Sequence, residues 1–305
     1  MKIQETLAEG SSALASAGIE SAGLDSSLLL AEILNASRSS LLASAAETIS
    51  ETALAAFRGM IHRRLSGECV AYLIGRKEFY GLEFSVNPSV LVPRPETETL
   101  VEIALCKLAI RNEKLEIEKE RLIKAFNKPV RVLDLCTGSG AIAIALKHAM
   151  PELEVYASDI SAEALACAQA NAAKLLRENS VNFFHGDLFA PLSHTGNKQS
   201  FLPSAFNLIT SNPPYIPTAE IPSLQAEVRR EPLLALDGGG DGLDLIRKII
   251  AGAPERLCPG GFLLLEADPR QMEAISGLLA EVGFTGIQVC KDLSGGERVI
   301  GGQKN

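Results

Sequence analysis

The chain has 305 residues, 47% of them hydrophobic and 22% charged, and its 29 Lys+Arg against 37 Asp+Glu leave a net charge of −8. At roughly 100–200 residues per domain, that length predicts two domains, and the ordinary composition excludes collagen-like, low-complexity and wholly disordered classes. The acidic balance argues against nucleic acid or an anionic membrane as the main partner. The start MKIQETLAEG has no apolar leader region and no apolar run approaches the ~18 residues of a membrane span, so a cytoplasmic protein is expected.

In chain order, residues 1–75 read as a small helical domain. Residues 24–34 (LDSSLLLAEIL) form an apolar-rich segment with Asp25 and Ser26 available as N-caps. Thr48-Ile49-Ser50-Glu51 fits a capping box, after which Leu54, Phe57, Ile61 and Leu65 recur at helical spacing. His62, among Arg58, Arg63 and Arg64, reads as a surface residue. Residues 76–91 turn to short β-like alternation broken by Gly81 and Pro88, a hairpin linker. Residues 92–305 form the remaining, larger domain. It opens with Val92-Pro93-Arg94-Pro95-Glu96-Thr97-Glu98 and an apolar helix over 100–110, continued by a solvated helical extension over 111–128, where ten of eighteen residues are charged.

Beyond Val130, apolar β-rich runs alternate with helical ones. Strands are predicted at 130–135, 154–159, 181–185, 206–211, 261–267, 284–291 and 297–301, and helices at 139–149, 162–177, 243–257 and 270–282. Such alternation implies βαβ units and a mostly parallel sheet, whose ligands bind at the carboxyl ends of the strands. The six cysteines lie at least thirty residues apart without a C-x-x-C, and no histidine pairs with them at ligand spacing. They read as small buried thiols in a reducing compartment, with no metal site.

Two strand-end loops carry chemistry. The first is Asp134-Leu135-Cys136-Thr137-Gly138-Ser139-Gly140, which follows a strand and opens a helix; nineteen residues beyond Gly140, Asp159 ends the next strand in a position to bind ribose hydroxyls. Gly138-x-Gly140-x-x-Ala143 satisfies the dinucleotide fingerprint. However, the carboxylate of Asp134 suits the ammonium and sulfonium of S-adenosylmethionine and would repel a pyrophosphate, and Asp187, beside Leu188, is placed to accept from an adenine amino group. Taken alone, this loop favours S-adenosylmethionine over NAD without excluding NAD.

The second loop is Ser211-Asn212-Pro213-Pro214-Tyr215. Each proline holds the residue before it extended, so Asn212 and Pro213 are rigid. The Asn212 side-chain oxygen and the Pro213 carbonyl make a two-acceptor fork for an –NH2 group, with Tyr215 offering an aromatic face. An amide or exocyclic amine is a poor nucleophile because its lone pair is delocalised. A fork that binds its hydrogens favours a pyramidal nitrogen aimed at an electrophilic methyl group, and it needs no dedicated base.

With the glycine loop before it, Asn212-Pro213-Pro214-Tyr215 resembles the methyltransferases that modify planar amino groups. The order and spacing of Val92 to Glu98, Asp134 to Leu146, Ser211 to Pro217, Glu231-Pro232-Leu233-Leu234-Ala235-Leu236-Asp237-Gly238-Gly239 and Asp241-Gly242-Leu243 are similar to the HemK/PrmC family across nearly the whole chain. That family methylates the glutamine side-chain amide in the Gly-Gly-Gln motif of peptide chain release factors. The resemblance implies a class I, seven-stranded, Rossmann-like methyltransferase domain behind a helical substrate-recognition domain that grips the release factor. It implies S-adenosylmethionine as cofactor, leaving as S-adenosylhomocysteine, held by Asp134, Cys136, Thr137, Gly138, Ser139, Gly140, Asp159, Asp187, Leu188 and Asn212. It implies further that Asn212, Pro213, Pro214 and Tyr215 are catalytic and that Pro93, Arg94, Pro95 and Glu96 line the glutamine pocket.

Two positions depart from the family pattern. Cys136 stands where many relatives have glycine, tolerable unless the backbone there needs a positive φ. Leu188 stands where some have an aromatic. The rival readings are a DNA adenine or RNA amino-group methyltransferase, which would carry a basic recognition region that this acidic chain lacks, and a silent cofactor-binding scaffold, which the intact fork opposes. A monomer working without nucleic acid, membrane or metal is expected. Gly301-Gly302-Gln303 copies the target tripeptide near the C-terminus, where a strand end and a frayed tail are expected.

Overall fold

The computed structural model describes residues 1–110, 129–176, 181–192 and 205–305. The charged extension expected over 111–128 and the last residue of the helix expected over 162–177 lie outside the described residues. The chain divides into two compact units, one of Met1–Arg76 with Leu224–Arg230, the other of Lys77–Ser223 with Glu231–Asn305. The return of Leu224–Arg230 to the first unit involves a segment that the sequence reading assigns to the catalytic domain.

In the first unit, helices α1 (Ile3–Ser16), α2 (Ala22–Leu34), α3 (Arg38–Ala43), α4 (Glu51–Leu65) and α5 (Val70–Ile74) bury Leu14, Leu29, Leu30, Leu41 and Phe57 in one core. Gly10 permits this packing, because a Cβ there would lie 2.5 Å from the Phe57 ring. The expected caps are corrected. Helix α2 starts at Ala22, so Asp25 and Ser26 are buried inside it: Asp25 accepts from Arg64 at 2.8 Å, and the Ser26 hydroxyl donates to the Leu7 carbonyl at 3.0 Å. Ser50, rather than Thr48, caps α4, its hydroxyl accepting from the Ala53 amide at 3.1 Å. His62 is exposed, as read from the sequence.

The second unit opens with a hairpin, β1 (Arg76–Phe79) and β2 (Leu82–Ser85). Tyr80 and Gly81 turn it at φ of 52° and 73°, the pair of positive angles a two-residue primed turn requires. Helix α6 (Glu98–Ile110) leads to the main sheet of β3 (Arg131–Leu135), β4 (Glu154–Asp159), β5 (Val181–His185), β6 (Phe206–Ser211), β7 (Leu257–Glu266), β8 (Phe284–Lys291) and β9 (Glu297–Lys304). Their order is β5-β4-β3-β6-β7-β9-β8, with β9 antiparallel to both neighbours and the other pairs parallel.

Strand alternation assigns the two faces. Val132, Leu208, Leu264 and Val299 join one core with Leu100, Val101 and Ala104 of α6 and with α7 (Ala141–Ala149). Leu133, Leu135, Ile209, Leu263, Leu265 and Ile300 join the other with Ile246, Ile249, Ile250 and Ala253 of α9 (Asp244–Arg256), a helical 3-4 stripe, and with α10 (Met272–Glu281). A sheet covered on both faces reads as continuous apolar runs, which is why its strands stand out in sequence.

Strand β7 starts four residues before its predicted position. Phe206 pairs with Leu257 and Leu208 with Phe262, so Pro259-Gly260 is a bulge within a strand rather than a turn before one. Strand β9 continues through the Gly-Gly-Gln copy to Lys304, not fraying after Gly301. Gly301 pairs with Leu264 and a Cβ there would lie 2.3 Å from the Leu263 carbonyl, while Gln303 donates to the Gly260 carbonyl at 3.1 Å. This tripeptide is sheet, and its glycines serve packing. The six cysteines are free; of these thiols, all expected to be buried, Cys167 is buried, Cys69, Cys136, Cys258 and Cys290 are half-buried, and Cys106 is exposed. Among the described residues, no helix is long and apolar enough to cross a membrane, and no group of His, Cys, Asp and Glu is arranged to hold a metal ion.

Candidate active site

From β3 the chain proceeds outward to β4 and β5, then returns to place β6 on the other side of β3. The carboxyl ends of β3 and β6 therefore flank the switch point of the sheet, where open α/β folds leave a crevice. The two loops singled out in the sequence are the ones that leave β3 and β6. Both contribute to one cleft with mostly apolar walls.

The glycine loop is fixed by backbone accounting. The Thr137 amide donates to the Ser158 carbonyl at 3.1 Å and the Gly140 amide to the Thr137 carbonyl at 2.8 Å. The Gly138 amide donates to Asp159 Oδ2 at 2.8 Å, while Asp159 Oδ1 accepts from the Ser161 amide at 2.9 Å. Amides at such a helix N-terminus are what a pyrophosphate would need. Here that of Gly138 is already satisfied by a carboxylate, and Asp159, Asp187 and Asp237 all line the cleft. The acidic wall suits a cationic ligand and opposes a dinucleotide. Burial pushes the Asp159 carboxyl above its usual range, against the backbone bonds that pull it down.

The cleft brings together most of the residues expected there: Pro93 and Arg94; Cys136 to Ser139; Asp159; Asp187 and Leu188; Asn212 and Pro214. Asp134 is placed differently from the expectation. It is fully buried beneath the loop, accepting from the Thr137 hydroxyl at 2.6 Å and the Thr210 hydroxyl at 2.9 Å, and does not form part of the wall. Burial raises its carboxyl to about 7, with the two hydroxyls opposing the shift. It ties the loop to β6 rather than facing a sulfonium.

Gly140 likewise serves packing, since a Cβ there would lie 2.8 Å from Ile144 and 3.2 Å from Ala168. Pro95 and Glu96 lie in a short 3-10 turn outside the wall, and Pro213 is buried. Tyr215, expected to offer its ring to a planar group, packs against the core on the α9 side, with its carbonyl accepting from Gln271 Nε2 at 2.9 Å. Arg94 is ion-paired with Glu231, whose other oxygen accepts from the Val92 amide at 3.0 Å.

Several contributors escaped sequence reasoning. Thr97 lines the cleft and accepts from Asn212 Nδ2 at 3.2 Å, and Ser158, Ile142 and Leu245 complete the walls. Asn171, fully buried on α8 (Ala162–Leu175), donates to the Ser139 carbonyl at 3.0 Å and supports the loop from below. Polar residues buried inside helices carry that signal, but the partner is invisible in one dimension.

Cys136 meets the condition set for it: its φ is 56°, and Leu188 stands at 46°. Left-handed backbone costs a non-glycine residue roughly 1–2 kcal/mol. Cys136→Gly is therefore expected to stabilise the protein by up to about 1 kcal/mol after glycine's extra unfolded-state entropy, read as a higher urea midpoint. A lower midpoint would show that packing of the thiol outweighs the strain. Burial also drives that thiol's pKa upward, leaving it protonated and unreactive.

Residues 5–75 match the model of the PrmC N-terminal domain, and residues 112–231 that of the methyltransferase small domain. The release factor glutamine methyltransferase of Moorella thermoacetica is 40% identical over 299 residues, covering 98% of this chain and 97% of its own. That of Deinococcus radiodurans is 38% identical over 300 residues, covering 98% of each. Among solved structures, the hMettl16 catalytic domain in complex with MAT2A 3'UTR hairpin 6 gives a TM-score of 0.53 at 13% identity, over 80% of this chain and 81% of that one, a likeness of fold alone.

Proposed function

The chain belongs to the release factor glutamine methyltransferase family, and from that premise we propose that it methylates the side-chain amide of the glutamine in the Gly-Gly-Gln motif of peptide chain release factors. The observation that carries the reading is Asn212 at the end of β6, lining the same cleft as the glycine loop and Asp159. S-adenosylmethionine fits this cleft: its acidic wall suits a sulfonium and an ammonium, and Asp159 ends β4 where ribose hydroxyls would meet it. When bound, it supplies an electrophilic methyl group.

The protein's own residues do the rest. The Asn212 amide nitrogen is turned into the protein, donating to Thr97 at 3.2 Å, so Oδ1 remains as an acceptor. With the Pro213 carbonyl as the second acceptor, it holds the hydrogens of the substrate –NH2 and turns the nitrogen lone pair toward the methyl group. Interactions that strengthen as the nitrogen pyramidalises act on the transition state rather than on binding. Pro93 and Arg94 wall the glutamine side, with Arg94 held by Glu231.

The test is incubation with methyl-labelled S-adenosylmethionine and a recombinant release factor, its Gly-Gly-Gln→Gly-Gly-Ala variant, or DNA. Label on the first substrate alone is expected. Label on DNA, or none on any substrate despite cofactor binding, would replace the reading with a nucleic-acid methyltransferase or a silent scaffold respectively.

A further inference from the structure

Glu266, the last residue of β7, is 1% exposed, and its Oε2 has no hydrogen-bond partner. It is the buried polar side-chain atom left without one among the described residues. An unpaired buried carboxylate oxygen is costly, so its retention calls for a role. Its position suggests one. Ser211 pairs with Leu265 across the parallel β6–β7 ladder, which sets Glu266 beside Asn212 at the strand ends. Thr97 and Asn212 are the neighbours whose side chains oppose the rise of its carboxyl, and Glu266 itself is not part of the cleft wall.

Donor and acceptor roles along this chain are forced by charge. An ionised Glu266 only accepts, so the Thr97 hydroxyl turns its one proton toward the carboxylate. Thr97 Oγ1 is then left as an acceptor and takes Asn212 Nδ2 at 3.2 Å. With –NH2 turned toward Thr97 and Glu266, Asn212 Oδ1 is the end that remains for the substrate. The opposite flip would set Oδ1 against a carboxylate. We infer that Glu266 is a positioning residue that acts through Thr97 to fix the orientation of the Asn212 amide, and so determines that Asn212 accepts from the substrate nitrogen. This rests on the proposed function of the cleft and adds to it a group that the fork did not include.

Protonation would cancel the instruction, because a neutral Glu266 can donate and attract Oδ1 instead. Burial raises its carboxyl to about 7; Glu96 adds to the rise, while Thr97, Arg298 and Asn212 oppose it, and the Tyr215 phenol also faces it. The folded-state pKa is raised, so the active, ionised form is gained as pH rises through about 7. Buried Asp134, also raised to about 7, titrates in the same window.

The experiment measures kcat for methyl transfer to the release factor from pH 5.5 to 8.5 in wild type and in Glu266→Gln, a near-isosteric change whose folding is checked by thermal melting. Wild type is expected to show kcat rising through about pH 7, and Glu266→Gln to lose that step and roughly tenfold in plateau kcat, with cofactor affinity unchanged. Thr97→Val is expected to lower kcat similarly and to add little in the double variant, since both break one chain. An unaltered kcat and pH step in Glu266→Gln would overturn the inference and pass the step to Asp134. Absence of transfer by wild type would instead overturn the proposed function.

Discussion

Asn212→Ala is expected to slow methyl transfer by roughly 10²–10³-fold, the usual consequence of deleting one preorganised hydrogen-bonding partner of a transition state. Cofactor affinity should fall far less, because the glycine loop, Asp159 and Asp187 remain in the wall. Folding should be nearly untouched. Asn212 is half-buried and makes a 3.2 Å bond to Thr97, whose hydroxyl keeps Glu266 as a neighbour. Asn212→Asp separates two explanations that alanine leaves joined. It keeps the shape and the acceptor but places a second carboxyl against buried Glu266, so it should be inactive near neutrality for reasons of charge. Single-turnover rates with calorimetric cofactor affinities measure all of this. An Asn212→Ala enzyme transferring at the wild-type rate would remove the fork from the mechanism.

The parts of this molecule legible in sequence are those whose physics is local. The parallel strands announce themselves because both faces are buried, and the glycine loop because its turn, its positive φ values and its helix start occupy seven consecutive residues. Where partners are distant in sequence, the reading failed in a consistent way. Asp134 looked like a ligand group because its role depends on Thr210, a strand partner 76 residues away. Thr97 and Glu266 had no signal of their own. Each becomes meaningful only when β6 brings Asn212 beside them, which no spacing in the chain reports. The bulge at Pro259-Gly260 fell in the gap between the helix expected to end at 257 and the strand expected to start at 261, since proline and glycine punctuate turns and bulges alike; pairing with Phe206 and Leu208 decides between them. Leu224–Arg230 carries no apolar periodicity because ionic anchoring holds part of it, Glu227 to Arg64 and Arg230 to the Ser66 carbonyl.

That anchoring sets up the second large effect, a loss of about 3–5 kcal/mol in the first unit on Arg64→Ala, the cost of stranding a buried charge. Arg64 and Asp25 are 5% and 4% exposed and bonded at 2.8 Å, and Arg64 also pairs with Glu227. Asp25 is interior to α2 and cannot swing out to water without unpacking Leu29 and Leu30, fully buried beside it. The Asp25→Leu/Arg64→Met double variant removes both charges and fills the volume, and such replacements are often neutral or stabilising. It should therefore recover most of the loss, a strongly non-additive pair in urea unfolding. Recovery of stability is not recovery of the anchor, since Glu227 would still lack its arginine. Limited proteolysis within 224–230 should then be faster in the double variant than in wild type despite similar stability. Equal cleavage would mean that the bond from Arg230 to the Ser66 carbonyl suffices to hold the segment. A loss below about 1 kcal/mol in Arg64→Ala would mean that Asp25 regains water, which its burial within α2 argues against.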